Sequence, residues 1–130
     1  ARLIAGDTRT WTPHNREQAL YWSTTYPLAA TVEVMRIVGR ARKLLSTDFD
    51  AGVLVLVSDD DAVVSPAAVR GAFRQIAAND KQLVRVCRPG DPSSHVLAGD
   101  ILSPAMTSPV AELIARYVTD GDAPSELNCS

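Results

Sequence analysis

VLVLVSDDDAVVSP, residues 53 to 66, decides the fold of this chain. Val53 to Val57 are consecutive apolar residues, most of them β-branched, and such a run suits a strand buried on both faces, as central parallel strands are. The strand-like stretch extends over Gly52 to Ser58 and is closed by Asp59, Asp60 and Asp61. Ser65–Pro66 then supplies an N-cap and a first helical residue, and Val69, Phe73 and Ile76 form the inner stripe of a helix over Pro66 to Ala78. Lys81 to Arg88 reads as a second strand, placed nearer an edge because Arg85 interrupts its apolar residues, and Pro89–Gly90 ends it. Strand, helix and strand make a βαβ unit, whose right-handed crossover sets the strands parallel with their carboxyl ends on one rim. Asp61 and His95 fall just past those two ends, where open α/β sheets place their sites, and form a candidate Asp–His dyad.

Upstream, Leu3 to Ala5 could end a strand, and Thr8 to Pro13 reads as loop. Asn15 to Thr24 has helical character, and Pro27 is placed to open a helix. Leu28, Val32, Met35, Val38, Ala41 and Leu45 recur at three- and four-residue steps, which predicts a long amphipathic helix over Leu28 to Leu45. Ser46 to Asp50 is a polar connector. Downstream, Val96 to Ser103 is irregular or a short helix. Ser108–Pro109 repeats the cap-plus-proline pattern ahead of the stripe Val110, Leu113, Ile114, Tyr117 and Val118, and Asp120 to Ser130 reads as a mobile polar tail. No repeat, low-complexity tract or domain linker is visible.

The 130 residues suit one domain, with 46% apolar and 22% charged side chains and a net charge of −2. Scattered arginines and this balance argue against nucleic acid or an anionic membrane as the main partner. No apolar run approaches a transmembrane length. The start lacks a signal-peptide pattern and a Met, as a trimmed or partial chain would. Cys87 reads as a small buried hydrophobe and Cys129 as part of the tail. The pair makes neither a disulfide framework nor a metal spacing, so a reducing, cytoplasmic setting is expected, with their bonding state left open.

The three carboxylates at Asp59 to Asp61 admit a solvated turn or a hard-cation site, but no Ca²⁺-loop spacing is present and no metal is expected. Phosphate-cradling glycine loops are absent, so no nucleotide cofactor is expected. G-x-S-x-G is absent too, and Ser93 and Ser94 follow a strand rather than occupying a strand-to-helix elbow. His14 reads as a surface residue. Trp11, Tyr21, Trp22 and Tyr26 either pack structurally or line an apolar pocket, in which Trp22 and Tyr26 are the candidate substrate-binding residues.

Val53 to Pro66 resembles the acid-bearing segment of the alpha/beta-hydrolase superfamily, an apolar strand running into G-x-x-D-x-x-V and a helix. Ser58 stands where glycine is usual, Asp61 matches the acid and Val64 takes the trailing apolar place. DPSSHVLAGDILSP resembles the histidine segment, with His95 on the catalytic position, and the order of acid before histidine agrees with the family. The resemblance covers Val53 to Asp120 well and Asn15 to Leu45 more weakly. It implies an α/β fold, the C-terminal part of a mostly parallel alpha/beta-hydrolase sheet with flanking helices. Residues 1–50 would be cap-like and connecting helices, 51–120 the late strands with acid and histidine, and 121–130 a tail.

It also implies a serine hydrolase acting on a carboxylic ester or lipid-like acyl substrate, with Asp61 orienting His95 and His95 moving the proton. The family's nucleophile elbow and oxyanion hole have no counterpart here, so these residues alone should not catalyse the reaction. Truncation, a separate chain carrying the serine, or a non-enzymatic relic would each account for this; the first is preferred. Association with the missing N-terminal part or as a homodimer is expected from an incomplete sheet. The alternative is a non-catalytic α/β binding or interaction module.

Overall fold

The computed structural model describes residues 7–47 and 50–130, so the run Leu3 to Ala5 and part of the Ser46 to Asp50 connector lie outside the described residues. The chain divides into two units, Ala1–Leu44 and Leu45–Ser130.

In the first unit, β1 (Thr8–Thr10) pairs antiparallel with β2 (Thr25–Pro27), Arg9 opposite Tyr26. The reading of Thr8 to Pro13 as loop is corrected over its first three residues: their partner lies 15 or more residues away, beyond the reach of local pattern. The Thr10 and Thr25 hydroxyls meet at 3.1 Å across the ladder, a cross-strand pair that suits β-branched side chains. Between the strands, α1 (Arg16–Tyr21) opens on Asn15, whose Oδ1 accepts from Gln18 N at 2.8 Å. Buried Gln18 returns the favour through Oε1, which accepts from His14 N at 2.7 Å, in the manner of a capping box. Helix α2 (Leu28–Leu44) follows β2 directly. Pro27 is therefore the last residue of β2 rather than the first of the helix, a strand terminus being a place where a missing N–H breaks no central ladder. The predicted periodicity of α2 is present, yet none of its residues is buried, and Val32 and Met35 stand exposed.

The second unit holds β3 (Val53–Val57), α3 (Pro66–Gln75), β4 (Lys81–Val86), α4 (Thr107–Asp120) and β5 (Glu126–Leu127). β3 and β4 are parallel in the register Val53 opposite Lys81 to Val57 opposite Arg85, as the βαβ reading requires. Helix α3 is capped by Ser65 Oγ, which accepts from Ala68 N at 3.3 Å, and Lys81 Nζ donates to the carbonyls of Phe73, Arg74 and Ile76 at its other end. A cation there meets the unsatisfied carbonyls and the negative end of the helix dipole.

Two expectations about the sheet are corrected. Strand order is β3-β4-β5, all parallel, so β4 is central and β3 has a partner on one side only among the described residues. Arg85 marked β4 as an edge strand in the sequence, but its guanidinium reaches Asp59 at 3.6 Å and Glu126 at 2.6 Å, so the interrupting charge is paired rather than left to solvent. The second correction is the tail. Glu126–Leu127 adds a strand to β4, and Cys87 is disulfide-bonded to Cys129 across 42 residues of sequence, so the two are not separate thiols.

Helix α4 also begins earlier than the Ser108–Pro109 pattern suggested. A 3₁₀ turn over Pro104–Met106 leads into it, and Pro109 sits in the first turn, where backbone N–H groups lack helical acceptors in any case. Gly121 closes the helix at φ +70°, its N–H bonded to Tyr117 O at 3.0 Å, the left-handed ending that glycine adopts without a Cβ clash. Val110, Leu113 and Tyr117 form its buried face. Val86, Met106 and Val110 make the centre of the core, with Leu56, Leu97, Ala98 and Leu127 packed around them. The buried core thus joins α4 to the sheet, and the loops leaving the carboxyl ends of β3 and β4 rise from strands packed against it through Leu56 and Val86. No helix among the described residues is long and apolar enough to cross a membrane.

Candidate active-site dyad

β3 leads into a tight turn at Ser58, which is buried and accepts from Asp60 N through Oγ at 3.3 Å. The three acids of this turn diverge. Asp59 pairs with Arg70 at 2.5 Å and with Arg85 at 3.6 Å. The Arg70 hydrogen bond first, then the charges of Arg70 and Arg85, hold its carboxyl below the usual range against the opposing pull of burial. Asp60 is exposed. Asp61 turns inward: Oδ1 accepts from Val63 N at 2.8 Å and Val64 N at 2.9 Å, closing its own turn. Among the described residues no three His, Cys, Asp or Glu groups gather as a cation site.

Asp61 Oδ2 faces His95 Nδ1 at 3.0 Å, across 34 residues of sequence. The two loops are also joined through backbone, Ala62 N donating to Ser93 O at 2.9 Å. Asp61 retains only 11% of its side-chain exposure, whereas His95 keeps 41%. Burial alone would raise the Asp61 pKa, but the Val64 N–H, the His95 hydrogen bond, the Val63 N–H and the His95 charge together bring it below its ordinary value. An ionised carboxylate only accepts hydrogen bonds, so Nδ1 must carry the proton of this bond. Nε2 is then the ring's lone-pair nitrogen in the neutral form, able to take a proton from an incoming hydroxyl.

The histidine loop is built on Asp91, a residue not among the candidate site residues read from the sequence. Its carboxylate is buried and accepts four hydrogen bonds: from Ser93 N at 3.3 Å, Ser93 Oγ at 2.6 Å, His95 N at 2.9 Å and Val96 N at 2.9 Å. Burial pushes its pKa up, and the bonds from Ser93 Oγ, Val96 N, His95 N and Ser93 N overcome that and hold it low. Fully buried Ser103 ties the loop from behind: its Oγ accepts from Asp91 N at 3.2 Å and donates to Val96 O. An aspartate two residues before a serine, as in Asp91-Pro92-Ser93, is a turn-closing pattern and was the available signal. Nothing in local sequence points to Ser103, whose partners lie 7 and 12 residues away.

The dyad can orient an imidazole and move a proton; it contains no attacking group. Ser93 Oγ is committed to Asp91 and not to the ring. The other candidates, Trp22 and Tyr26, belong to the first unit. Trp22 ends α1 and meets the Trp11 ring edge-on at a centroid distance of 6.3 Å, while Tyr26 is half-buried in the middle of β2. His14 is exposed. No family model, curated protein or solved structure matches this chain.

Proposed function

We propose that this chain supplies the acid and the histidine of a Ser-His-Asp triad for hydrolysis of a carboxylic ester or lipid-like acyl substrate, the attacking serine coming from outside these 130 residues. The observation that carries the reading is the 3.0 Å bond from His95 Nδ1 to Asp61 at the carboxyl rim of β3 and β4. Asp61 fixes the tautomer; His95 Nε2 takes the serine proton as the acyl carbon is attacked and returns it to the leaving oxygen.

One feature supports a chain that folds with further segments. β3 is wholly apolar, yet one of its edges has no ladder partner among the described residues, the condition proteins ordinarily avoid at a sheet edge. A further parallel strand on that edge would extend the α/β sheet into the hydrolase-like one and would be the natural carrier of the nucleophile. The disulfide favours an oxidising setting over the cytoplasmic one inferred from spare use of cysteine.

The test is a fluorophosphonate probe applied to the full-length protein that contains this chain. Covalent labelling of a serine that is lost in His95→Ala and weakened in Asp61→Asn is the expected result. Absence of labelling in the folded full-length protein leaves the reading without its nucleophile and favours the non-catalytic binding module instead.

A further inference from the structure

We propose that Asp91 is the positioning residue of the dyad, fixing the His95 backbone so that its ring meets Asp61. The proposal rests on the reading of Asp61 and His95 as a working pair and assigns the element that holds it together.

His95 is anchored at two points. Its ring is held by Asp61, and its backbone N–H by Asp91 Oδ2 at 2.9 Å. A single contact through Nδ1 leaves the imidazole free to swing with its loop; the second anchor removes that freedom. Asp91 bonds the His95 backbone while the ring bonds Asp61, so its action on the ring is indirect. Three donors, from Ser93 Oγ, His95 N and Val96 N, converge on the one oxygen Oδ2, and Oδ1 takes Ser93 N. Four donors on two oxygens suit a carboxylate, whose lone pairs are all acceptors. An amide in the same place would offer one oxygen and turn an NH₂ toward a donor.

The loop conformation needs such a centre. Ser94 adopts φ +52°, in the left-handed region that a non-glycine residue enters at a cost, and it persists where surrounding contacts over-determine it. The donors on either side of Ser94, at Ser93 and His95, both end on Asp91, and Ser94 N itself donates to Asp91 O at 2.9 Å. Val96 is then held at both backbone groups, N–H by Asp91 and carbonyl by Ser103. Asp91 is itself buried at 4% exposure, so solvent does not compete for these bonds.

The experiment reads the Asp61 carboxyl by carbon-detected NMR titration in wild type, His95→Ala, Asp91→Ala, Asp91→Asn and Ser103→Ala. His95→Ala defines the upward shift of the Asp61 pKa when the ring is gone. Asp91→Ala is expected to move Asp61 in the same direction, with Val84 and Val86 amide shifts unchanged, and Asp91→Asn to fall between. A purely structural Asp91 would lower the melting temperature and leave the Asp61 titration of the folded protein at its wild-type position, and that result overturns the proposal. Where Asp91→Ala does not fold, Asp91→Asn and Ser103→Ala decide by the same criterion. In the full-length protein, misplacement of the ring by about 1 Å should slow probe labelling on the order of 100-fold in Asp91→Ala. If wild type itself is not labelled, the hydrolase reading fails while the Asp61 titration still judges Asp91.

Discussion

Replacing both Cys87 and Cys129 by serine should remove a large fraction of the stability of the second unit. The bond closes a loop of 42 residues between β4 and the end of the chain. Loop-closure entropy scales with the logarithm of that length, and for a loop of this size the unfolded chain regains roughly 4 kcal/mol when the link is cut. A small domain has only about 5–15 kcal/mol in hand, so the loss is a large fraction of the total. The geometry says where it will show first. β5 is two residues long, too short to hold itself by ladder bonds, and Arg85 N to Ser125 O at 2.9 Å and Cys87 N to Leu127 O at 3.0 Å are the main-chain bonds flanking it. What remains without the disulfide is a set of side-chain bonds: Arg85 on Glu126, the Arg88 guanidinium on the Asn128 and Ser130 carbonyls, and Asn128 Nδ2 on the Cys87 and Arg88 carbonyls. These are exposed bonds, each with a small net contribution. Urea unfolding followed by far-ultraviolet circular dichroism gives the free-energy difference, and hydrogen exchange at the Arg85 and Cys87 amides gives the local opening. Both amides should exchange faster in the variant while Val84 remains protected. A loss under about 1 kcal/mol would refute the loop-closure argument, as would two titratable thiols in the unreduced wild-type protein after denaturation.

Acid should loosen the site loops before the core. Asp59, Asp61 and Asp91 all have folded-state pKa values below the ordinary 3.8. A depressed carboxyl binds fewer protons folded than unfolded, so its contribution is present above the unfolded pKa and is lost as pH falls through the folded one. Unfolding free energy is therefore expected to hold near neutrality and to drop as pH falls below about 4, where unfolded-state carboxyls take up protons. The His95 and Val96 amides should lose exchange protection first, and an Asp61→Asn, Asp91→Asn double variant should show a shallower slope. A second outcome concerns packing alone: Met106→Ala, at a site 3% exposed beside Val86 and Val110, should cost about 2–5 kcal/mol in chemical denaturation while leaving the Asp61–His95 bond detectable by NMR.

The two outcomes separate because the chain divides its labour, and the sequence disclosed the two halves unequally. Runs with a strong period were legible: Val53 to Val57, the Ser65–Pro66 start of α3 and the stripe of α4 all have causes within a few residues of themselves. The meeting of Asp61 with His95 was legible through topology, since a parallel βαβ unit leaves the residues after both strands on one rim. What escaped is held by partners far away in sequence. β1 is three residues whose strand character depends on Thr25 to Pro27, and β5 is two residues whose place depends on a bond from Cys129 to Cys87. The edge assignment of β4 failed for the same reason: Arg85 looked unsuited to a central strand until Asp59 and Glu126 came to it from either side. That arrangement has a consequence for the site. Arg85 connects the C-terminal strand to the acid turn, and Asp59 lies two positions before Asp61, so the disulfide-anchored end of the chain and the proton-handling loop share one guanidinium. A charge that reads as a defect in the strand pattern is the physical joint between the fold's last element and its candidate chemistry.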